Sequence, residues 1–235
     1  MPATKLATAL TSVGWDDNVS EFLKNSAAVE TIAKANLRLA VWCRQFEDVD
    51  KLNPALCFIR ELQVAGHHVA ASTALALYKP AAASMRTVLE TALYYTYFRT
   101  HISELSTLAR DFTYFVDKGD LLEYHKKHTP HFVRLQSTLG LVTRLNKWYS
   151  TISAIVHGQL PGKWIEHRAL SEIKCNGATL DLAVDSFKEC EDIVHRLFLC
   201  TVAQELWDGF SSPAKKSLTA GLSGKTKTAL RLDNA

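Results

Sequence analysis

One histidine, one arginine and one glutamate stand out in stretches that otherwise carry almost no charge. His157 closes the run "YSTISAIVHGQ" (149–159), whose other residues are uncharged at neutral pH. Arg86 and Glu90 are the only charges between Lys79 and Arg99. An imidazole supplies acid–base chemistry near neutral pH, and a guanidinium stabilises a phosphate or carboxylate. At about 100° per residue, Asn146, Ser150 and Ser153 fall within about 40° of His157 on one helix face, and Tyr149 within about 80°. Leu145, Trp148, Ile152 and Ile155 take the opposite face. The histidine therefore heads a polar, uncharged stripe, whereas a solvated face normally carries Lys and Glu. Such a stripe is expected to be covered by another helix, a second subunit or a ligand. In the last helical turn His157 also meets the negative end of the helix dipole, which favours its charged form.

Arg86 and Glu90 lie four residues apart on one helix face, and Tyr94 and Tyr97 continue that face. Two charges on an otherwise apolar helix need partners. Either they satisfy each other, or they meet the stripe headed by His157. A structural histidine beside a plain intrahelical ion pair and one shared site both remain open at this point.

The elements that must hold these groups read as helices. The chain has 235 residues, 47% of them hydrophobic, with only 10 glycines and 6 prolines. This supports a helix-rich fold with a sizeable core. Residues 1–17 are expected to be a loose arm with Trp15 docked on the body. Asn18 or Ser20 is expected to cap a first helix running to about 46. Further helices are expected at about 54–78, from Pro80 to about 101, at 103–116, 119–127 and 130–138, and at 141–157. Asn176-Gly177 sits between two short alternating runs, a hairpin signal. A last long helix is expected over about 185–209, and residues 213–235 form a basic tail with one or two short helices. The expected architecture is a single all-α domain, a helical bundle with one small β-hairpin inserted before the last long helix.

The net charge of +3 permits nucleic-acid contact without pointing to it. The five cysteines, at 43, 57, 175, 190 and 200, form no CxxC pair. They read as buried thiols of a reducing compartment. With neither a leader pattern nor an apolar run of about 20 residues, a cytoplasmic protein without membrane contact is expected. In "EYHKKHTPHF" the three imidazoles His125, His128 and His131 invite a metal reading. Pro130, Lys126 and Lys127 argue instead for a solvated basic loop, so no metal site and no cofactor are expected. His67-His68 point to different sides. "GLSGKT" in the tail lacks the spacing and the strand of a phosphate loop, and the tail lysines read as a solvated end.

The runs "MRTVLETALYYTYF" (85–98) and "WYSTISAIVHG" (148–158) resemble the HEPN-like helical families of prokaryotic defence and toxin–antitoxin systems. The matching pattern is R-x3-E on one helix and Y-x3-S-x3-HG on a later one: Arg86, Glu90, Tyr149, Ser153, His157 and Gly158. The resemblance implies a helical homodimer that binds RNA and cleaves it without metal, by attack of the ribose 2′-hydroxyl. It gives His157 an acid–base role and an arginine the phosphate. The ribonuclease pattern of that family has its arginine four to six residues before the histidine. Here those residues are Ser150, Thr151 and Ile152, and Arg144 points about 140° away on a straight helix. Arg86 can take the role only if the two helices are neighbours, with Glu90 and Ser153 orienting and with Tyr149, Ser150, Asn146 and Tyr97 binding substrate. Two rival readings are a non-catalytic HEPN-like dimerisation or sensing module working with a separate, operon-encoded effector, and a bundle that binds a small molecule.

Overall fold

The computed structural model describes residues 1–160, 162, 164 and 167–231. Every regular element among them is helical: α1 (Pro2–Thr11), α2 (Trp15–Lys24), α3 (Ser26–Val49), α4 (Leu56–Ala74), α5 (Tyr78–Phe98), α6 (Ile102–Arg110), α7 (Lys118–His128), α8 (Phe132–Leu139), α9 (Leu141–Val156), α10 (Gly177–Cys200), α11 (Ala203–Leu206), α12 (Ser212–Leu218) and α13 (Gly224–Leu230). Single 3-10 turns cover Leu170–Glu172 and Trp207–Gly209. None of these helices is long and apolar enough to cross a membrane.

The centre is α5, which packs on α4, α9, α10 and α7. Its apolar residues run round most of its circumference, and Ala81, Met85, Val88, Leu89, Ala92, Tyr95 and Phe98 are fully buried. A helix apolar on so many sides belongs inside a bundle. Ala76, in the left-handed region at φ +59°, turns α4 into α5. At that turn Leu77 N–H donates to Ser72 C=O and Ala76 N–H to Thr73 C=O, which satisfies the last carbonyls of α4. At one end of the core Trp42, Phe46, Tyr95, Phe198 and Phe210 pack ring against ring, with centroids 4.9–6.4 Å apart, the separations favoured by aromatic pairs.

Four expectations need correction. The β-hairpin is absent among the described residues. Asn176 instead caps α10, its side chain accepting from Thr179 N–H at 3.0 Å, so "NGATL" starts a helix rather than a turn. With that cap, α10 begins eight residues earlier than the apolar periodicity alone suggests. The N-terminal arm is helical: Trp15 opens α2 and donates through Nε1 to Leu10 C=O at 3.1 Å, although α1 itself buries no residue. The expected first helix is two helices broken at Asn25, which caps α3 through Ala28 N–H. Asn18 is no cap. It is a buried bridge that accepts from Cys175 N–H at 2.8 Å and donates to Leu75 and Ile173 C=O. Over residues 213–231 the tail is amphipathic, with Lys216, Lys225 and Arg231 exposed and Leu218 and Leu230 of α12 and α13 buried beneath them.

Candidate functional site

α5 and α9 are neighbours, and the groups singled out above meet between them. Arg86 Nη1 donates to His157 Nε2 at 2.8 Å. Because a guanidinium has no acceptor, Nε2 carries the lone pair and the ring is neutral in this arrangement. Arg86 Nε donates to Glu90 Oε1 at 2.8 Å, and the Tyr149 hydroxyl donates to the same oxygen at 2.7 Å. The guanidinium lies over the Tyr149 ring, 5.1 Å from its centroid, a cation–π contact. Partial burial opposes the charge of Arg86, but its bonds to Glu90 outweigh this and hold it above its ordinary value. Burial and the Glu90 carboxylate together raise Tyr149, so the phenol stays protonated.

Local backbone explains why α9 ends at the histidine. His157 is the C-cap, and Gly158 follows at φ +68°. Gln159 N–H then donates to Ala154 C=O at 2.8 Å and Gly158 N–H to Ile155 C=O at 3.1 Å. This is the Schellman closure, which favours glycine at the left-handed position. It stops the helix sharply and leaves the imidazole exposed at its end. Arg86 supplies the partner that the polar stripe lacked.

The remaining expected residues divide. Asn146 lies on the margin of the site, its Oδ1 accepting from Lys118 Nζ at 2.7 Å. Ser150 is exposed. The Ser153 hydroxyl is sealed from solvent and has no hydrogen bond among the described residues, so it does not orient the pair. Tyr97 belongs elsewhere: its ring stacks on His101 at 4.0 Å and its hydroxyl donates to Glu104 at 2.7 Å. Arg144 points away, as the helix angle requires, and binds Glu189 at 2.8 and 2.5 Å and Asp192 at 2.6 Å. In the three-histidine run, His125 is buried with both ring nitrogens engaged, by Thr96 at 2.9 Å and Thr129 at 2.8 Å. It is neither a metal ligand nor part of a solvated loop, and burial pushes it down to about 4. His67 and His68 are both exposed.

Residues 111–118 complete the site and escape a helix-by-helix reading of the sequence. Lys118 Nζ lies 5.1 Å from the centroid of the Tyr149 ring. Asp117 caps α7, accepting from Gly119 N–H at 2.6 Å, and this fixes Lys118 and Asp117 beside α5. Phe112 is wholly exposed and Phe115 is 71% exposed. The signal available was "DFTYFVDKGD", three aromatics in four residues just before an Asp N-cap. Lys79 adds a further cation, its Nζ 4.0 Å from where a Cβ on Gly158 would sit. Phe115, Asp117 and Lys118 border, with Arg86, Glu90 and Tyr149, an open cleft of about 270 Å³ that reaches to Leu121.

Arg86, Glu90, Asp117, Lys118, Tyr149 and Phe115 line one cleft, and the His157 imidazole is bonded to Arg86 beside it. The arrangement can bind a phosphodiester and exchange a proton with a hydroxyl beside it. No protein-family model, curated protein or solved structure matches this chain.

Proposed function

We propose that the protein is a HEPN-like RNA-binding protein of a defence or toxin–antitoxin system, acting as a metal-independent endoribonuclease and working as a homodimer. One observation carries this reading: Arg86, which lines an open cleft, is within hydrogen-bond distance of His157 on a different helix. Arg86 thereby stands in for the arginine missing from positions 150–152.

A phosphodiester entering the cleft competes for the guanidinium. When Arg86 turns to a non-bridging phosphate oxygen, the Nε2 lone pair of His157 is released. That nitrogen takes the proton of the ribose 2′-hydroxyl as the 2′-oxygen attacks phosphorus. The P–O5′ bond then breaks, and the imidazolium returns the proton to the departing 5′-oxygen. The products are a 2′,3′-cyclic phosphate and a 5′-hydroxyl. Glu90 fixes the direction of Arg86, Tyr149 holds Glu90, and Lys118 and Lys79 add the positive field that draws the backbone in. Phe112 and Phe115 offer faces on which unpaired bases stack, which favours single-stranded RNA.

The bond between Arg86 and His157 also favours the second reading, a non-catalytic module that partners a separate effector, because that bond occupies the lone pair a base needs. Incubation with single-stranded RNA, tRNA and mRNA in the presence of EDTA separates the two. The nuclease reading predicts cyclic-phosphate ends that disappear in His157→Ala and Arg86→Ala. Stable RNA or partner binding with intact RNA would favour the module.

A further inference from the structure

The lining of the cleft beside Arg86 is specific. Its floor is apolar, made by Leu93 and Leu121 of α5 and α7. Its flat walls are the rings of Tyr94 and Phe115. Tyr94 is held in place edge-to-face against Phe58 and Phe98, at 5.3 and 5.4 Å. At about 270 Å³ the cleft lies just under the roughly 300–1,000 Å³ range of small-molecule pockets, a size suited to one planar ring system.

Two carboxylates, Glu90 and Asp117, stand among the polar groups of the cleft. Glu90 Oε1 is taken by Arg86 and Tyr149, but Oε2 has no hydrogen bond among the described residues. Asp117 spends Oδ1 on Gly119 N–H and keeps Oδ2. Both carboxylates lie close enough to Tyr94 that their charge, after burial, raises its hydroxyl above the ordinary value. Besides Arg86, the charged donor at the cleft is Lys118, which gives one of its three protons to Asn146 Oδ1 at 2.7 Å and keeps the others.

We propose that this cleft is a nucleobase pocket selective for guanine, seated next to the phosphate bound by Arg86. Guanine alone among the common bases presents two adjacent N–H donors, N1–H and the 2-amino group, with an acceptor, O6, beside them. Asp117 accepts both donors, one on its free Oδ2 and one on the remaining lone pair of Oδ1, and Lys118 donates to O6. Adenine and cytosine present an acceptor where guanine has N1–H, and uracil flanks its one N–H with two carbonyls. Against these bases a carboxylate is left facing a lone pair. The rings of Tyr94 and Phe115 stack on either face of the base. Guanine attached to a phosphate is a residue of RNA or a free guanine nucleotide. The inference rests on Arg86 being a phosphate site, and its tests read base choice separately from cleavage.

Titrating the protein with the four ribonucleoside 3′-monophosphates, followed by calorimetry, is expected to show the guanosine compound binding about tenfold or more tighter than the others. Asp117→Asn retains the helix cap, since asparagine caps as well as aspartate, and is expected to reduce that preference severalfold with an unchanged circular dichroism spectrum. A second arm uses single-stranded 12-nucleotide RNAs with one guanine or none, scored for binding and for the site of cleavage. Guanine preference in both arms marks RNA as the ligand, and preference in the mononucleotide arm alone marks a free nucleotide. Cleavage without base preference would overturn the pocket while leaving the nuclease. Guanine preference without cleavage would overturn the nuclease while leaving the pocket. Equal binding of all four nucleotides, no binding of any, or a preference untouched by Asp117→Asn would overturn the proposal.

Discussion

Two imidazoles inside the bundle make its stability depend on pH in a way that can be worked out. Thr96 donates its hydroxyl proton to Leu93 C=O at 2.8 Å, so it accepts from His125 Nε2–H. Thr129 then donates to Nδ1. His195 Nδ1 accepts from Trp42 Nε1 at 3.0 Å, and its Nε2 is buried without a partner among the described residues. Both rings are therefore held neutral. Burial pushes His125 from 6.5 down to about 4, and burial, with Arg38 adding, pushes His195 down to about 3. As the pH falls below 6.5 the unfolded chain takes up a proton on each ring and the folded chain does not, so acid favours unfolding. Stability is full above 6.5 and is lost progressively toward the folded values. At pH 5 each ring lies about 1.5 units below its unfolded value, which at about 1.36 kcal/mol per unit costs about 2 kcal/mol. The pair together costs about 4 kcal/mol, a large part of the 5–15 kcal/mol by which a typical domain is stable. Urea unfolding at pH 8 and pH 5 measures this directly. His125→Gln and His195→Gln, which keep hydrogen-bonding groups in place, should each shrink the pH 8-to-5 loss by about 2 kcal/mol. An identical loss in wild type and both variants would refute the assignment of these rings as buried and neutral.

Other consequences follow from single residues. Gly158→Ala places a Cβ in the left-handed region and should cost about 1 kcal/mol in thermal unfolding while shifting His157. The same substitution at Gly177, where a Cβ meets nothing, should cost less. Asn18→Ala strands Cys175 N–H and two carbonyls and should cost about 2–4 kcal/mol by chemical denaturation, a large effect for a residue outside the long helices. Iodoacetamide on the native protein should modify Cys57 first, because Cys43, Cys190 and Cys200 are buried and burial raises all three thiols. Peptide mass spectrometry reads this, and rapid labelling of Cys190 without denaturant would contradict it.

What the sequence disclosed was period and composition. The helices around the site follow from apolar spacing, and α9 stops where Gly158 says it should. The pairing of Arg86 with Glu90 follows from their four-residue separation. That Arg86 reaches His157 could not be read from either helix alone, because it depends on the crossing of α5 and α9. The hairpin expectation failed because Asn-Gly serves equally as a tight turn and as a helix cap, and only the Thr179 amide decides between them. Asn18 was misread for the same reason: an asparagine near a helix start looks like a cap until a distant segment, here Ile173–Cys175, is found bonded to it. Tyr97 shares the helix face of Arg86 by angle, yet stacking with His101 and the carboxylate of Glu104 draw it away. The contribution of residues 111–118 was hidden because loop residues have no period to reveal which helix they return to.

The central claim is that the bonded pair of Arg86 and His157 is a phosphodiester site that performs chemistry. Its most direct measurement is the rate of cleavage of an end-labelled single-stranded RNA by wild type and by His157→Ala, in EDTA, with the new ends identified. The wild type is expected to yield a 2′,3′-cyclic phosphate and a 5′-hydroxyl, with a rate at least about 100-fold lower in the variant, the scale of a lost acid–base group. Equal rates, or RNA left intact by both, would contradict it.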